Sequence, residues 1–176
     1  MVLEIRQARE DELPALWQVY GEVCAAQKNA PCSPGWTFGV YPDREELAAH
    51  IAAGEAVLGI GGGRILASAV LTGRDDPMYA DAKWPTAAES EEVAVVHLLA
   101  LHPEARGLGL SHPFLSELLA IARERGKRLV RLDVVQGNYI AEALYLRHGF
   151  RFAEERTVRY EDTGEITVRL FECILA

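Results

Sequence analysis

Apolar and polar positions along this chain change period repeatedly, and the changes mark its elements. Val2, Leu3 and Ile5 open a short strand. Leu13, Leu16, Trp17, Tyr20 and Val23 then recur at three- and four-residue steps, which predicts an amphipathic helix ending near Lys28. Asp11 is its expected N-cap, with Pro14 in the first turn, where a missing N–H costs little. Asp43 and Glu46 have the spacing of a capping box for a second helix, stopped at Gly54. Residues 55–59 and 64–72 read as two strands joined by the glycine-rich turn IGGGR. A strand over 93–101, a helix over about 110–125, a strand over 129–135 and a helix from Asn138 to His148–Gly149 follow. Residues 150–160 and 166–175 close the chain as two strands around the turn EDTGE. The order β-α-α-β-β-β-α-β-α-β-β predicts one α/β domain of the α+β type spanning 1–176. Its sheet is mixed and mostly antiparallel, flanked by helices. The strands over 93–101 and 129–135, joined by a helical crossover, form the one parallel pair.

Two loops interrupt this regularity. Residues 29–42 hold three prolines and two glycines together with Trp36, Phe38 and Tyr41. Residues 73–92 form a long polar loop carrying Tyr79 and Trp84, and loops of that length are typically functional walls or disordered. The four aromatics Trp36, Tyr41, Tyr79 and Trp84 suit either an acceptor pocket or packing of the loops themselves.

With 176 residues and 49% apolar composition the chain can bury a core without staples. Its net charge of -8 argues against nucleic acid or an anionic membrane as the main partner. Cys24, Cys32 and Cys173 are odd in number and scattered, which excludes a disulfide framework or a zinc knuckle. That usage fits a reducing cytoplasm. The N-terminal stretch lacks the pattern of a signal peptide, and no apolar run approaches the ~20 residues that span a bilayer. A cytoplasmic protein without a metal is the expectation.

The densest chemistry lies in the turn HPEARGLGLS, between a strand and a helix. Amides at a helix start have no partner within the helix, and the helix dipole is positive there, so the turn suits phosphate oxygens. Gly107 and Gly109 let a bulky anion approach the backbone. His112 stands where GxGxxG has its third glycine, and no Gly-Lys-Ser/Thr follows, which disfavours dinucleotides and nucleoside triphosphates. Pro113 confines the helix start to about Gly109 or later. The glycines of IGGGR have no helix after them and read as a hairpin turn.

The run VHLLALHPEARGLGLS…RLDVVQGNYIAEALYLRHGF resembles the acetyl-CoA-binding core of the GCN5-related N-acetyltransferase superfamily. Its Arg/Gln-x-x-Gly-x-Gly/Ala signature is matched at Arg106 and Gly109, with Ser111 departing from the last position. Asn138, Ala141, Leu144, Tyr145, Gly149 and Phe150 match the second signature, Asn-x-x-Ala-x-x-Leu-Tyr followed by Gly-Phe. The resemblance implies the family's fold and transfer of an acetyl group from acetyl-CoA directly to a primary amine, on a small molecule or a peptide. It implies that the backbone of Leu99, Ala100 and Leu101 pairs with pantetheine, and that the amides of Arg106, Gly107, Leu108, Gly109, Leu110 and Ser111 hold the pyrophosphate. Asn138 is either an N-cap or a cofactor contact. Tyr145 takes the role of acid toward the leaving sulfur, against the alternative of a core aromatic. Where many relatives carry a glutamate base, this chain has His97, whose ordinary pKa near 6.5 suits a base. By strand alternation it shares a face with Leu99 and Leu101. Its alternative is a structural strand histidine. Arg131 and Asp133 read as an intra-strand pair or as solvent-facing. Arg147 is placed either to reach a phosphate or to complement its helix dipole. The resemblance also implies a homodimer. A non-catalytic acyl-CoA-binding domain is the rival reading.

Overall fold

A computed structural model describes residues 2–28, 30–160 and 164–175. Seven strands form one sheet in the order β1-β2-β3-β4-β5-β7-β6. They are β1 (Glu4–Gln7), β2 (Ala56–Gly61), β3 (Arg64–Thr72), β4 (Val93–Leu101), β5 (Leu129–Val135), β6 (Arg151–Tyr160) and β7 (Gly164–Ile174). Four helices flank them: α1 (Leu13–Gln27), α2 (Arg44–Ala52), α3 (Ser111–Glu124) and α4 (Tyr139–Arg147). The element order is the one the periodicity predicts, and β4 with β5 is the parallel pair. The predicted EDTGE turn falls mostly on 161–163, outside the described residues.

The two sheet faces bury different helices. Phe114, Leu115, Leu118 and Ala122 of α3 pack on Ala94, Val96, Val130, Leu132 and Val134, with Tyr145 and Phe150 at the edge of the same cluster. Leu16, Val19, Tyr20 and Val23 of α1 and Leu47 and Ile51 of α2 cover Leu58, Val70, Leu98 and Ala100 on the other face. The 73–92 loop completes that second face, with Tyr79 packed on Val93, Val95, Leu129, Val168 and Leu170. These apolar faces, each removed from water, supply the main driving force for the layered arrangement.

The entry to α1 departs from expectation. Asp11 lies within a 3-10 turn over Glu10–Glu12, and the helix begins at Leu13 after Glu12. Arg6 accounts for this, since its guanidinium grips both Glu12 carboxylate oxygens, at 2.9 and 2.7 Å, and ties the turn to β1. At α2, Asp43 caps as predicted, accepting from the amides of Glu45 and Glu46 at 2.9 and 3.0 Å. Glu46 itself stays exposed.

Strand β4 has an irregularity that its almost wholly apolar sequence conceals. Ser68 pairs with Ala100 and Val70 with His97, so two steps on β3 face three on β4. The extra residue makes a β-bulge at Leu98, whose φ of 51° is left-handed and costly for a branched side chain. Tyr20, wholly buried, donates its hydroxyl to the Leu98 carbonyl at 2.8 Å. The bulge reverses side-chain parity: Ala94 and Val96 before it, and Leu99 and Leu101 after it, all face α3. His97 therefore faces opposite to Leu99 and Leu101, which corrects the shared face expected from simple alternation.

Candidate active site

The parallel ladder between β4 and β5 is short. It runs through Val93–Leu129, Ala94–Val130 and Val95–Arg131 and then stops, while β5 goes on pairing with β7 to Val135. Beyond Val95 the two strands diverge, and the β4 edge from Val96 to Leu101 faces an opening instead of a neighbour. Unpaired backbone N–H and C=O groups along such an edge need partners.

A cavity of about 730 Å³ occupies the opening on the α3–α4 side. Leu99, Ala100 and Leu101 line one wall, with Asn138, Ala141 and Tyr145 on the other and Arg106, Gly107 and Ser111 at one end. A second cavity, of about 640 Å³, lies against α2 and the 73–92 loop. Both cavities are lined by His97, Leu98, Asp133 and Val135, and Trp36 and Tyr41 border both. The two spaces thus adjoin at the β4–β5 divergence.

The glycine turn is held from behind. His102 follows β4, its Nδ1 accepting from the Glu104 amide at 3.2 Å, so Nε2 carries the proton given to Glu22 at 2.8 Å. Gly107 and Gly109 have φ of 77° and 71°, and a Cβ built on either would meet nothing within 4 Å. Glycine is needed here for the backbone conformation and not for lack of room. The Arg106 and Leu108 amides make long bonds of 3.3 Å inside the turn. Among the described residues, the amides of Gly107, Gly109 and Leu110 donate to no protein group. Arg106 and Leu108 are exposed, whereas the Leu110 side chain is buried against Leu66 and Ala105. With Leu110 as N-cap, Pro113 sits in the first turn of α3 as its chemistry requires.

Asn138 caps α4, its side chain accepting from the Ala141 amide at 3.4 Å, and also lines the first cavity. Tyr145 is 6% exposed, tilted against Phe150 with centroids 5.5 Å apart. Burial raises its pKa above the ordinary phenol value, with the nearby Asp133 charge adding to the rise, so the hydroxyl keeps its proton at neutral pH. Arg147, exposed near the end of α4, borders the same cavity.

His97 is 17% exposed, and its Nε2 lies 3.6 Å from Asp76 Oδ2. Burial lowers its pKa, partly offset by Asp133 and Asp76. The imidazole is therefore neutral, and able to accept a proton, at neutral pH. Asp133 accepts from the Tyr79 hydroxyl. Burial pushes the Asp133 carboxyl up, opposed by the Tyr79 bond and by His97.

Arg131 and Asp133 do not form the intra-strand pair or the solvent-facing positions expected from sequence. Both project onto the face covered by the 73–92 loop. Arg131, 3% exposed, pairs with Asp75, donates to the Thr86 carbonyl at 3.0 Å and lies 4.2 Å over the Trp84 ring. Of the four loop aromatics, Trp36 and Tyr41 line the cavities, while Tyr79 and Trp84 pack edge to face beneath them at 5.5 Å. Asp76 and Asp133 thus join the site, although sequence reasoning gave neither a role there, and Tyr79 reaches it through its bond to Asp133. The one available signal was two ionisable residues at alternate positions of the otherwise apolar strand LVRLDVV.

Comparison with known proteins agrees with this architecture. An acetyltransferase of the GNAT family from Streptococcus agalactiae superposes with a TM-score of 0.80 at 21% identity, covering 98% of this chain and 95% of that one. A phosphinothricin acetyltransferase from Sinorhizobium meliloti, solved with acetyl-CoA, gives 0.73 at 18% identity over 100% and 90% of the two chains. At these identities the likeness is one of fold. The model of the "Acetyltransferase (GNAT) family" matches residues 5–150. The chain belongs to that family. An uncharacterized N-acetyltransferase of Methanocaldococcus jannaschii is 34% identical over 74 residues, 42% of this chain. The matched stretch spans about a third of that relative's length, 33%. Among the described residues, no helix is long and apolar enough to cross a membrane.

Proposed function

We propose that this protein transfers the acetyl group of acetyl-CoA to an amine, by direct attack of the amine and without a covalent acyl-enzyme. The observation that carries the reading is the β4–β5 divergence, where two cavities adjoin beside a neutral imidazole and a protonated phenol. The residues present fit the co-substrate. Free amides at Gly107, Gly109 and Leu110, with Arg106 beside them, suit a pyrophosphate. The β4 edge at Leu99–Leu101 lacks a neighbour on the β5 side, which suits the two amides of pantetheine. When bound, acetyl-CoA supplies an acetyl thioester.

The chain's own residues then divide the work. The amine arrives as an ammonium through the second cavity, where Asp43, Glu46, Asp76 and Asp133 outnumber Arg74 and favour a cationic acceptor. His97 takes the proton from its nitrogen. Leu98 and Leu99 have no partner on β3, and backbone N–H groups so released are the kind that stabilise developing negative charge on a carbonyl oxygen. As the C–S bond breaks, Tyr145 gives its proton to the departing sulfur, and its phenolate regains one from the nitrogen, which attack has left with a second proton to lose. Holding both reactants across one opening supplies the orientation that direct transfer needs. No cysteine belongs to this arrangement of acid and base, although Cys32 borders the first cavity.

The test is an acceptor panel of diamines, aminoglycosides and lysine peptides with acetyl-CoA, read by thiol release, on the wild type and Tyr145→Phe. Loss of an acid is expected to lower kcat by about 10²–10⁴-fold. The Kd for acetyl-CoA should stay within about twofold. Tight acetyl-CoA binding with no thiol release from any acceptor would instead identify a non-catalytic acyl-CoA-binding domain. An unchanged kcat in Tyr145→Phe would remove Tyr145 from the mechanism.

A further inference from the structure

We propose that Asp133 of β5, held by the Tyr79 hydroxyl, is the counter-charge that stabilises His97 as it takes up the acceptor's proton. This rests on the acetyl-transfer reading above and adds two residues to it. In the step concerned an ammonium N–H bond breaks, the proton bonds to a ring nitrogen of His97, and the electron pair stays on the amine. The imidazole thereby becomes an imidazolium in a largely buried place, which is unfavourable unless an anion lies close.

The charged and titratable groups facing His97 come from three elements. Asp76, from the 73–92 loop, is 3.6 Å away. Asp133 comes from β5, and His50 and Glu55 from the end of α2 and just beyond it. His50 and Glu55 are bonded to each other at 2.7 Å and act on His97 in opposite directions. Asp76 is tied to its own turn, accepting from the Met78 amide at 2.8 Å, and its side chain is 25% exposed, so water screens it. Asp133 lines both cavities together with His97, whereas Asp76 borders only the second, and the Tyr79 hydroxyl fixes the Asp133 carboxylate where the two cavities adjoin.

The support behind Asp133 is built for rigidity. Tyr79 is 1% exposed and braced by Trp84, and Trp84 lies under Arg131, which is held in turn by Asp75. Tyr79 keeps its proton, because burial and the adjacent Asp133 raise its pKa. It therefore remains a hydrogen-bond donor throughout the working pH range, and the carboxylate has a fixed direction. Three links of one loop thus set the environment of a group on β4.

The experiment follows the imidazole of His97 by NMR in protein labelled at histidine, with His97→Gln to assign the signal. Wild type, Asp133→Asn and Tyr79→Phe are compared, together with the pH dependence of kcat/KM. The His97 titration should move to lower pH in Asp133→Asn, because the anion that favours the imidazolium is gone. The acid limb of the rate profile should move with it, and kcat should fall about tenfold or more. KM for acetyl-CoA should stay within about twofold. Tyr79→Phe should act in the same direction and more weakly, since an unsupported carboxylate is more easily protonated. An unmoved His97 titration in folded Asp133→Asn overturns the proposal. If that variant does not fold, an unmoved titration in Tyr79→Phe does so. A wild type that transfers to no acceptor defeats the acetyl-transfer reading, and the NMR titration still decides whether Asp133 governs His97.

Discussion

Tyr20→Phe tests whether a single phenol holds the bulge in β4. The substitution keeps the ring and removes the hydroxyl that makes the 2.8 Å bond to the Leu98 carbonyl. A buried hydrogen bond contributes about 0.5–1.5 kcal/mol net, and a buried acceptor left without a donor costs about 1–3 kcal/mol. Leu98, at a φ of 51°, carries a backbone penalty of about 1–2 kcal/mol. Bond and penalty are of equal order, so removing the hydroxyl should both destabilise the fold and weaken the preference for the bulged register. The expected loss is about 1–3 kcal/mol in urea unfolding with an unchanged m-value. For a chain of this length that lowers Tm by roughly 3–9 °C. Because the bulge fixes which way His97 and Leu99 point, kcat should fall while acetyl-CoA still binds. A Tyr20→Phe protein with the wild-type unfolding midpoint and the wild-type kcat would refute the idea that this phenol stabilises the bulge.

Two further predictions concern the turn and the N-terminus. Gly109→Ala meets no atom within 4 Å but must place an alanine at a φ of 71°. It should cost about 1 kcal/mol of stability and weaken acetyl-CoA binding severalfold, measured by calorimetry. Unchanged binding and stability would show that the turn adapts without glycine. The Arg6 bond, ahead of the Arg9 amide and the arginine charges, holds the Glu12 carboxyl down to about 2. Its stabilisation is fully present above the unfolded value near 4.3 and is lost as pH falls through about 2. Glu12→Gln should therefore be less stable than wild type at pH 6 and flatten the stability profile between about pH 5 and 2; parallel profiles would count against the pairing.

The element order was legible because its punctuation is strong. Gly54, Gly126 and Gly149 end helices, Asp43 and Asn138 cap them, and each strand run is short and apolar. The parallel pair followed from connection length alone, since only a helix joins β4 to β5. What the sequence did not carry was anything set by register. VHLLAL is apolar or nearly so at every position, so no alternation marks the extra residue at Leu98, and the face of His97 came out reversed. RLDVV showed Arg131 and Asp133 on one face of β5, but which residues cover that face depends on a loop that begins some sixty positions earlier. The glycine turn and Tyr145 lay where the motif spacing put them, because both belong to a local strand–turn–helix arrangement that long-range packing does not alter.

The early end of the β4–β5 ladder has a mechanical consequence. It divides the sheet into two leaves, β1 to β4 and β5 to β7, which the main chain joins once, through α3. The 73–92 loop fastens them a second time, with Arg131, Glu172, Glu154 and Arg156 on the far leaf all bonded to it or salt-bridged to residues within it. A slot between leaves clamped at both faces keeps its width whether or not anything lies in it. A molecule that inserts there meets a preset gap and loses little binding energy to prying it open. Its signature would be slowed amide hydrogen exchange along Val96–Leu101 on ligand binding, with little change elsewhere in the sheet.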